Sequence, residues 1–335
     1  YIGEIDTANN GIWVTSQQPY NLVLYGFDGS IKKTIMVNQR MVGSVGVGKD
    51  GSLIATSPTQ GTVYFKTPMT ATTDYDKNIF IANGINQNRL NAGHGIAIAG
   101  NQLFATDICR VLVWNDPASA TNGKAADYVL LQNNFTTLDC NAFRTTRLKA
   151  DSDGHVFIKT HKGIYVYQAP VTSASTPIKI ITDPLTTITG ESLNILVDYE
   201  GLFGLTPQKI GEQLFLWVTD RHNSRVLRIR DPLGTPKIDV IVGQADFSGT
   251  ACNRGAVMAT LNSLCLPGSL SVDKFNNLYI SDASLESEGN KRILMFTLAT
   301  FPTNNTSVFF DATATKEFPT NGFHNAFELG FDSAN

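Results

Sequence analysis

A short pattern recurs along the chain, and an internal repeat limits the possible folds more than any single motif does. The pattern is an alternating apolar run that ends in Asp, a short polar loop, and an Arg that opens a second alternating run. It occurs with both charged residues as "NQLFATDICRVLVWND", "LFLWVTDRHNSRVLRIRD" and "NNLYISDASLESEGNKRILMF". Three degenerate copies lack the pair: "NGIWVTSQQPYNLVLYGFDG", "GSLIATSPTQGTVYFKTP" and "GHVFIKTHKGIYVYQAP". The chain therefore contains six copies of one unit.

Each copy is flanked by two further alternating runs. The upstream run ends in a turn rich in Asp, Gly and Asn, as in "GSLSVDKFNN"; such residues accept positive φ at little cost and favour tight hairpins. The downstream run is "DVIVGQ" in the fifth unit and "SVFFDA" in the sixth. The segment "LFGLTPQKIGEQ", residues 202–213, is interpreted as an insertion between the first two strands of the fifth unit. Each unit is thus predicted to form four strands.

Repeated four-stranded units predict a β-propeller, because each small sheet needs neighbours to cover its apolar faces. Period-2 alternation dominates, so few helices are expected. We predict one all-β domain over residues 1–335, a six-bladed propeller of four-stranded antiparallel blades, with seven blades as the alternative. The predicted blades cover residues 1–38, 41–83, 92–133, 143–183, 190–244 and 266–311. The terminal segment 325–335 is predicted to join the N-terminal blade and close the ring.

Several of these segments resemble a known family. "VDKFNNLYISD", "KRILMF" and "VTDRHNSRVLRIRD" followed by "DVIVGQADFSGTACNRG" are similar to NHL-repeat β-propellers, particularly exported bacterial ones, in which "GQ-DF-CN" segments link successive blades. "DYVLLQNNFTTLDCNAF" resembles a worn copy of that linker. The resemblance is strong over residues 92–142 and 190–311 and weak over residues 1–90. It implies the fold and leaves the activity open, since the family includes RNA binders, protein binders, sensors and copper- and zinc-associated amidating lyases.

Composition narrows the cellular setting and the class of partner. Net charge is −3 and the 26 Lys and Arg residues form no long run, so strong affinity for phosphate backbones is not expected. Charged residues make up 16%, below the usual share of about 25%, as in many exported proteins. No apolar stretch reaches the length of about 18 residues that a membrane span needs. We expect a secreted, periplasmic or cell-envelope protein, and the start at Tyr1 suggests a mature or trimmed fragment.

The four cysteines are predicted to form two disulfides. They lack the CxxC spacing typical of structural zinc sites. Cys109 falls in the loop between second and third strands and Cys140 in the linker of the same blade, while Cys252 and Cys265 flank one linker segment. We therefore predict Cys109–Cys140 and Cys252–Cys265, each stabilising the fold by about 2–4 kcal/mol. Free or reactive thiols are the alternative.

The recurring Asp and Arg residues suggest either catalysis or structure. The three pairs are Asp107 with Arg110, Asp220 with Arg225, and Asp282 with Arg292. A catalytic site needs one asymmetric group of residues, whereas these occupy the same repeated position. We therefore predict that each pair clamps the loop between two strands by charge-assisted hydrogen bonds.

Other polar residues lie at the predicted mouth of the central channel. The candidate ligand-binding set is Arg40, His94, Arg144, Glu191, His222 and His324. Mixed charge of this kind suits a small ligand, a sugar or a peptide end. No resident cofactor is predicted. The alternative is a zinc or calcium ion held by His94, His222 and His324, because neutral imidazole is a common metal ligand.

No GxSxG elbow, phosphate-binding glycine loop or HExxH motif is present. The sequence is therefore interpreted as a non-catalytic ligand-recognition or scaffold propeller of an exported protein, binding a protein or glycan through its loop-rich face. It would act as a monomeric domain or as part of a larger chain. The main rival is a metal-dependent lyase or lactone hydrolase at the channel mouth. A third hypothesis is single-stranded RNA binding by "RHNSRVLRIR" and "FRTTRLK".

Overall fold

The structure is a computed structural model that describes residues 95–142, 145–195, 204–282 and 289–319 without a break. Within the first 90 residues it describes segments 3–6, 11–17, 20–26, 30–36, 45–47, 52–57, 61–70, 77–82, 87 and 89–90. The chain divides into two compact units, Tyr1–Ile180 and Ile181–Leu329. Each unit is described by itself.

Four sheets follow one another through the first unit. Sheet 1 contains β1 (Gly3–Asp6), β2 (Gly11–Gln17), β3 (Tyr20–Gly26) and β4 (Ile31–Met36). Sheet 2 contains β5 (Val45–Val47), β6 (Leu53–Ser57), β7 (Gly61–Phe65), β8 (Lys77–Ala82) and β9 (Arg89–Leu90). Sheet 3 contains β10 (Ile96–Ala99), β11 (Gln102–Thr106), β12 (Val111–Asn115) and β13 (Tyr128–Leu130). Sheet 4 contains β14 (Thr145–Ala150), β15 (His155–Thr160), β16 (Gly163–Gln168) and β17 (Lys179–Ile181).

The second unit contains sheets 5 and 6. Sheet 5 contains β18 (Leu185–Thr187), β19 (Ser192–Leu193), β20 (Leu205–Ile210), β21 (Gln213–Asp220), β22 (Arg225–Arg230) and β23 (Lys237–Val242). Sheet 6 contains β24 (Leu270–Val272), β25 (Leu278–Asp282), β26 (Arg292–Phe296) and β27 (Lys316–Pro319). Helical structure in the described residues consists of short 3₁₀ turns at Arg221–Asn223, Cys252–Gly255 and Leu298–Thr300. The expectation of few helices holds for this part of the chain.

Alternating side chains bury both faces of a sheet, as sheet 3 illustrates. Leu103 and Trp114 pack in one apolar cluster with Ile54 of sheet 2. Phe104 points to the opposite face and packs in a second cluster with Leu148 of sheet 4. First strands of successive sheets also contact one another, β1 with β5, β5 with β10 and β10 with β14 in the first unit, and β20 with β24 in the second. Each sheet therefore depends on its neighbours within the unit for its core.

Four of the sheets follow the four-stranded antiparallel plan, and sheet 2 adds a fifth strand, β9, which pairs parallel to β8. Sheet 5 departs from the plan because its outer strand β23 pairs parallel with β18, which in turn pairs with β19. An outer strand leaves backbone groups unpaired, and a short added strand satisfies them. The all-β class is confirmed, but the prediction of six four-stranded antiparallel blades is wrong, because sheets 2 and 5 have five and six strands. The predicted closing strand, residues 325–335, lies outside the described residues.

The predicted insertion at residues 202–213 is also wrong. Its central part, Leu205–Ile210, forms β20, the antiparallel partner of β21. Pro207 has no N–H to donate to a strand ladder, and proline in a sheet is therefore confined largely to edge strands. Pro207 lies opposite Leu216 on β20, an edge strand of sheet 5, where a missing donor is tolerated.

The fourth strand of sheet 6 lies later in the chain than predicted. "SVFFDA" was expected to fill that place, but β27 at Lys316–Pro319 pairs with β26 instead. Phe309 forms a parallel bridge with Val240 of sheet 5. Its N–H donates to the Asp239 carbonyl at 2.9 Å, and its carbonyl accepts from the Ile241 N–H at 2.9 Å. The apolar run thus extends the outer edge of the preceding sheet.

Candidate functional site

The three Asp–Arg pairs form in the structure where the second strand of a sheet turns into the third. In sheet 5, Asp220 ends β21 directly opposite Arg225, and the Arg225 Nε donates to the Asp220 Oδ2 at 2.7 Å. The Asp282–Arg292 pair has the same register and a distance of 2.9 Å, and Arg110 Nε lies 2.8 Å from Asp107 Oδ2. All six residues are buried. Burial raises the pKa of the Asp282 carboxyl, against the opposing effect of its hydrogen bonds.

Each arginine of a pair also binds a linker, which for Arg110 and Arg225 is the linker that leaves the sheet and for Arg292 the linker that enters it. Arg225 Nη1 donates to the Phe247 carbonyl at 2.8 Å. Arg110 Nη1 donates to the Phe135 carbonyl in the same manner. Arg292 Nη2 donates to the carbonyls of Thr260 and Ser263, both at 2.8 Å. Each pair therefore closes the loop between the second and third strands and also binds that loop to a linker. The sequence interpretation missed the contact with the linker.

The linkers after sheets 3 and 5 share a Gln that holds the same loop. Gln132 Nε2 donates to the Cys109 carbonyl at 2.8 Å, and Gln244 Nε2 donates to the Ser224 carbonyl at 3.1 Å. The spacing from this Gln to the phenylalanine whose carbonyl is bonded is the same in both linkers. The spacing from the Gln to a Cys-Asn dipeptide is also the same in both. The repeated Gln, Phe and Cys are the signal from which these linker contacts could have been predicted.

Both predicted disulfides are confirmed. Cys109 bonds Cys140 at a sequence separation of 31, and Cys252 bonds Cys265 at a separation of 13. Cys140 and Cys252 occupy equivalent linker positions but have different partners. The place of Cys109 in sheet 3 is taken by Ser224 in sheet 5, whose Oγ lies 3.6 Å from the Cys252 Sγ.

We call residues 252–265 the stapled loop, because the second disulfide joins its two ends. Its base is held by polar contacts. The side-chain amides of Asn253 and Asn290 exchange two hydrogen bonds, at 3.0 and 2.8 Å, and the Asn253 N–H donates to the Leu264 carbonyl at 2.9 Å. Its tip is apolar and solvated, with Val257 99% exposed and Met258 79% exposed. The loop therefore combines a fixed base with an uncovered apolar tip.

The predicted ligand-binding and metal-binding residues are described only in part. Arg40, His94, Arg144 and His324 lie outside the described residues, so the proposed histidine triad stays a prediction. Glu191 is exposed and accepts hydrogen bonds from the hydroxyls of Thr187 and Thr189, which lower the pKa of its carboxyl.

His222, the remaining predicted residue, is exposed within the 3₁₀ turn Arg221–Asn223. That turn joins β21 to β22 in sheet 5. It therefore lies at the end of the sheet that also carries the Asp220–Arg225 pair.

A different cluster in the described residues has metal-ligand chemistry: the ligand atoms of Asp151, Asp153 and His155 lie within 4.8 Å of one another. Asp151 follows β14, and its carboxylate accepts from the Asp153 N–H at 3.0 Å and the His155 N–H at 2.8 Å and contacts His155 Nδ1 at 2.7 Å. Asp273 follows β24 and accepts from the Asn277 N–H and Asn277 Nδ2 in the same way, both at 2.8 Å. The cluster is therefore one version of a repeated turn, with His155 in the place of Asn277.

The basic run "RHNSRVLRIR" is largely occupied by internal contacts. Arg228 is buried and binds Asp239 through Nε and Nη2, both at 2.9 Å. Arg230 Nε donates to the same carboxylate at 3.0 Å, and Arg221 Nη1 donates to the Leu266 carbonyl at 2.8 Å. These cations stabilise the second unit and do not form an open surface for phosphates.

No family model matches the chain, and no curated protein sequence matches it. Solved structures do. Virginiamycin B lyase from Staphylococcus aureus is 13% identical, with 98% of this chain and 88% of that chain covered and a TM-score of 0.52. A functionally unknown protein from Desulfotomaculum acetoxidans is 12% identical, with 92% and 79% covered and a TM-score of 0.53.

An auxiliary nutrient binding protein from Bacteroides ovatus is 13% identical, with a TM-score of 0.55. The match covers 82% of this chain and 64% of that chain, so it spans less than two thirds of the Bacteroides protein. These likenesses identify the fold as a β-propeller. At such low identity they show the fold alone. Within the described residues, no helix has the length and apolar character needed to cross a membrane.

Proposed function

We propose that this chain is a recognition propeller of the NHL-repeat type in an exported protein, that it binds a partner protein or glycan through its loop-rich face, and that it catalyses no reaction. The observation that carries the proposal is the stapled loop. A disulfide and partly buried side-chain hydrogen bonds fix its base, while Val257 and Met258 remain in solvent. Exposed apolar residues on a fixed support are typical of binding surfaces.

The recurring charges support recognition over catalysis. The carboxylates of Asp220 and Asp282 are buried and bound to arginines. A general acid or base must reach a substrate proton, and these carboxylates are turned inward. Their repetition in equivalent places fits a scaffold whose variable loops carry the specificity.

Export is supported by the two disulfides, since such bonds persist in oxidising compartments. The nutrient binding protein from Bacteroides ovatus has a related fold and a name that denotes binding. Binding to an extracellular protein or glycan is therefore the function that we assign to this chain.

The second candidate is a metal-dependent lyase or lactone hydrolase, favoured by the likeness to virginiamycin B lyase. Its site would combine His94, His222 and His324 as zinc or calcium ligands with Arg40, Arg144 and Glu191 as substrate contacts. A bound cation there would polarise a carbonyl group or activate water.

One experiment separates the two candidates. The wild-type chain is tested on a glycan array and on an array of the exported proteins of the organism that encodes it, before and after treatment with a chelator. We expect saturable binding that the chelator leaves unchanged, and less than one equivalent of zinc, copper or calcium by elemental analysis. Absence of any binder, or turnover of a lactone or ester that requires a stoichiometric metal, would contradict the proposal.

A further inference from the structure

We propose that the stapled loop is a protein-docking element whose tip, Val257 and Met258, inserts into an uncharged apolar pocket of a partner protein. The inference rests on the proposed recognition function, and it specifies the partner as a protein and the contact as one loop. Three features of the described residues support it: the length of the loop, the rigidity of its base and the chemistry of its tip.

The length of the loop exceeds what is needed to connect two sheets. After Cys140 the chain enters β14 at Thr145, which gives a short connection from sheet 3 to sheet 4. After the equivalent Cys252 the chain reaches β24 only at Leu270. The two linkers share their Gln, Phe and Cys-Asn positions, so the difference lies in the segment that the second disulfide closes. This additional segment is available for a purpose other than connection.

The stapled loop is anchored at three places. The Cys252–Cys265 disulfide joins its ends. Arg292 donates to the Thr260 carbonyl at 2.8 Å, and the Ala314 N–H donates to the Leu261 carbonyl at 2.8 Å. An anchored loop loses little conformational entropy when a partner binds, so its exposed side chains contribute more of their contact energy to affinity.

The chemistry of the tip favours a pocket in a protein over a phosphate group or a sugar. Residues 255–265 contain no charged and no aromatic side chain. At the start of the loop, the Arg254 guanidinium contacts the Asp311 carboxylate at 2.5 Å, so its charge is balanced. Residues 255–265 contain no cation that could bind a phosphate group. The side chains of Val257 and Met258 cannot form hydrogen bonds with the hydroxyls of a sugar.

An apolar pocket is the environment that this tip complements. Burial of both side chains removes solvated apolar surface from water. The flexible thioether of Met258 can adapt to the shape of such a pocket. A contact of this kind, with one or two anchoring residues, is common at protein interfaces.

The test compares two purified double variants with the wild-type chain on the exported-protein and glycan arrays. Val257→Ser/Met258→Ser makes the tip polar. Ile178→Ser/Ile180→Ser is the matched control, because these isoleucines are also exposed, at 53% and 44%, but lie on and beside strand β17. Both variants alter exposed side chains, so equal melting temperatures serve to show that each is folded.

We expect the tip variant to bind the wild-type protein hits about tenfold or more weakly, and the control variant to bind them as the wild type does. Protein hits that the tip variant retains would overturn the inference and leave the recognition function standing. Hits that are glycans alone would do the same. A wild-type chain without any hit would overturn both proposals. Vesicles of phosphatidylcholine and phosphatidylglycerol are tested in parallel, and tip-dependent vesicle binding would overturn the protein pocket in favour of a lipid surface.

Discussion

Arginine is well suited to the clamps because one guanidinium has donors for a carboxylate and for carbonyl oxygens at the same time. Arg225 uses Nε for Asp220 and Nη1 for the Phe247 carbonyl. The pairing of Asp and Arg was predictable from their repeated positions. The carbonyl acceptors were not, because every residue has one and no side chain marks it in the sequence.

Removing one partner of a clamp should cost more stability than removing both. Arg225→Met removes the charged donor from the buried Asp220 carboxylate and from the Phe247 carbonyl. The carboxylate keeps the neutral Asn223 amide as a donor. We expect the free energy of unfolding to fall by about 3–5 kcal/mol in urea titrations. The double variant Asp220→Leu/Arg225→Met should recover a large part of that loss, since no charge remains buried. A single variant as stable as the wild type would show that the pair is not a clamp.

Tyr167 predicts a dependence of stability on alkaline pH. Burial, with a smaller contribution from the nearby Tyr165, raises the pKa of Tyr167 from 10.0 to about 12. The folded state therefore favours the neutral phenol. This contribution to stability is complete below the unfolded pKa near 10 and is lost as pH rises through the folded pKa near 12.

The measurement is the free energy of unfolding at about pH 9 and about pH 11. Tyr167→Phe should lose less stability between these pH values than the wild type. Equal losses in the two proteins would contradict the assigned pKa.

At the scale of elements, the hairpins of second and third strands were predicted well, because their alternation and turns are local signals. Partner choice for short apolar runs was predicted poorly, since it depends on contacts distant in sequence. "SVFFDA" is strand-like wherever it lies, and only the fold places Phe309 beside Val240. Strand β20 was misinterpreted as an insertion, because the sequence does not reveal which segment pairs with β21 at the edge of sheet 5.

The equivalence of the two linkers predicts that a disulfide can be moved. Ser224 takes the place of Cys109, and its Oγ lies 3.6 Å from the Cys252 Sγ. In the double variant Ser224→Cys/Cys265→Ser we expect a new bond between positions 224 and 252. Intact-mass thiol counting should find no free thiol, whereas Cys265→Ser alone should leave one. Two free thiols in the double variant would refute the equivalence.

At the scale of the whole molecule, the repeat predicted the β-propeller class, because small antiparallel sheets that follow one another have few other ways to bury their faces. The repeat could not reveal the candidate site, which is a departure from it. The sequence shows a longer linker with a second cysteine, but only the structure shows that Val257 and Met258 are uncovered. The extra strands β18 and β19 of sheet 5 are a second departure of this kind.

Recognition without chemistry is tested most directly by equilibrium titration of the metal-stripped chain with its strongest array partner, followed by mass spectrometry of the released partner. We predict the same dissociation constant before and after treatment with a chelator, and a partner of unchanged mass. Binding that is lost on stripping and restored by zinc or calcium, or a partner released with an altered mass, would contradict this function.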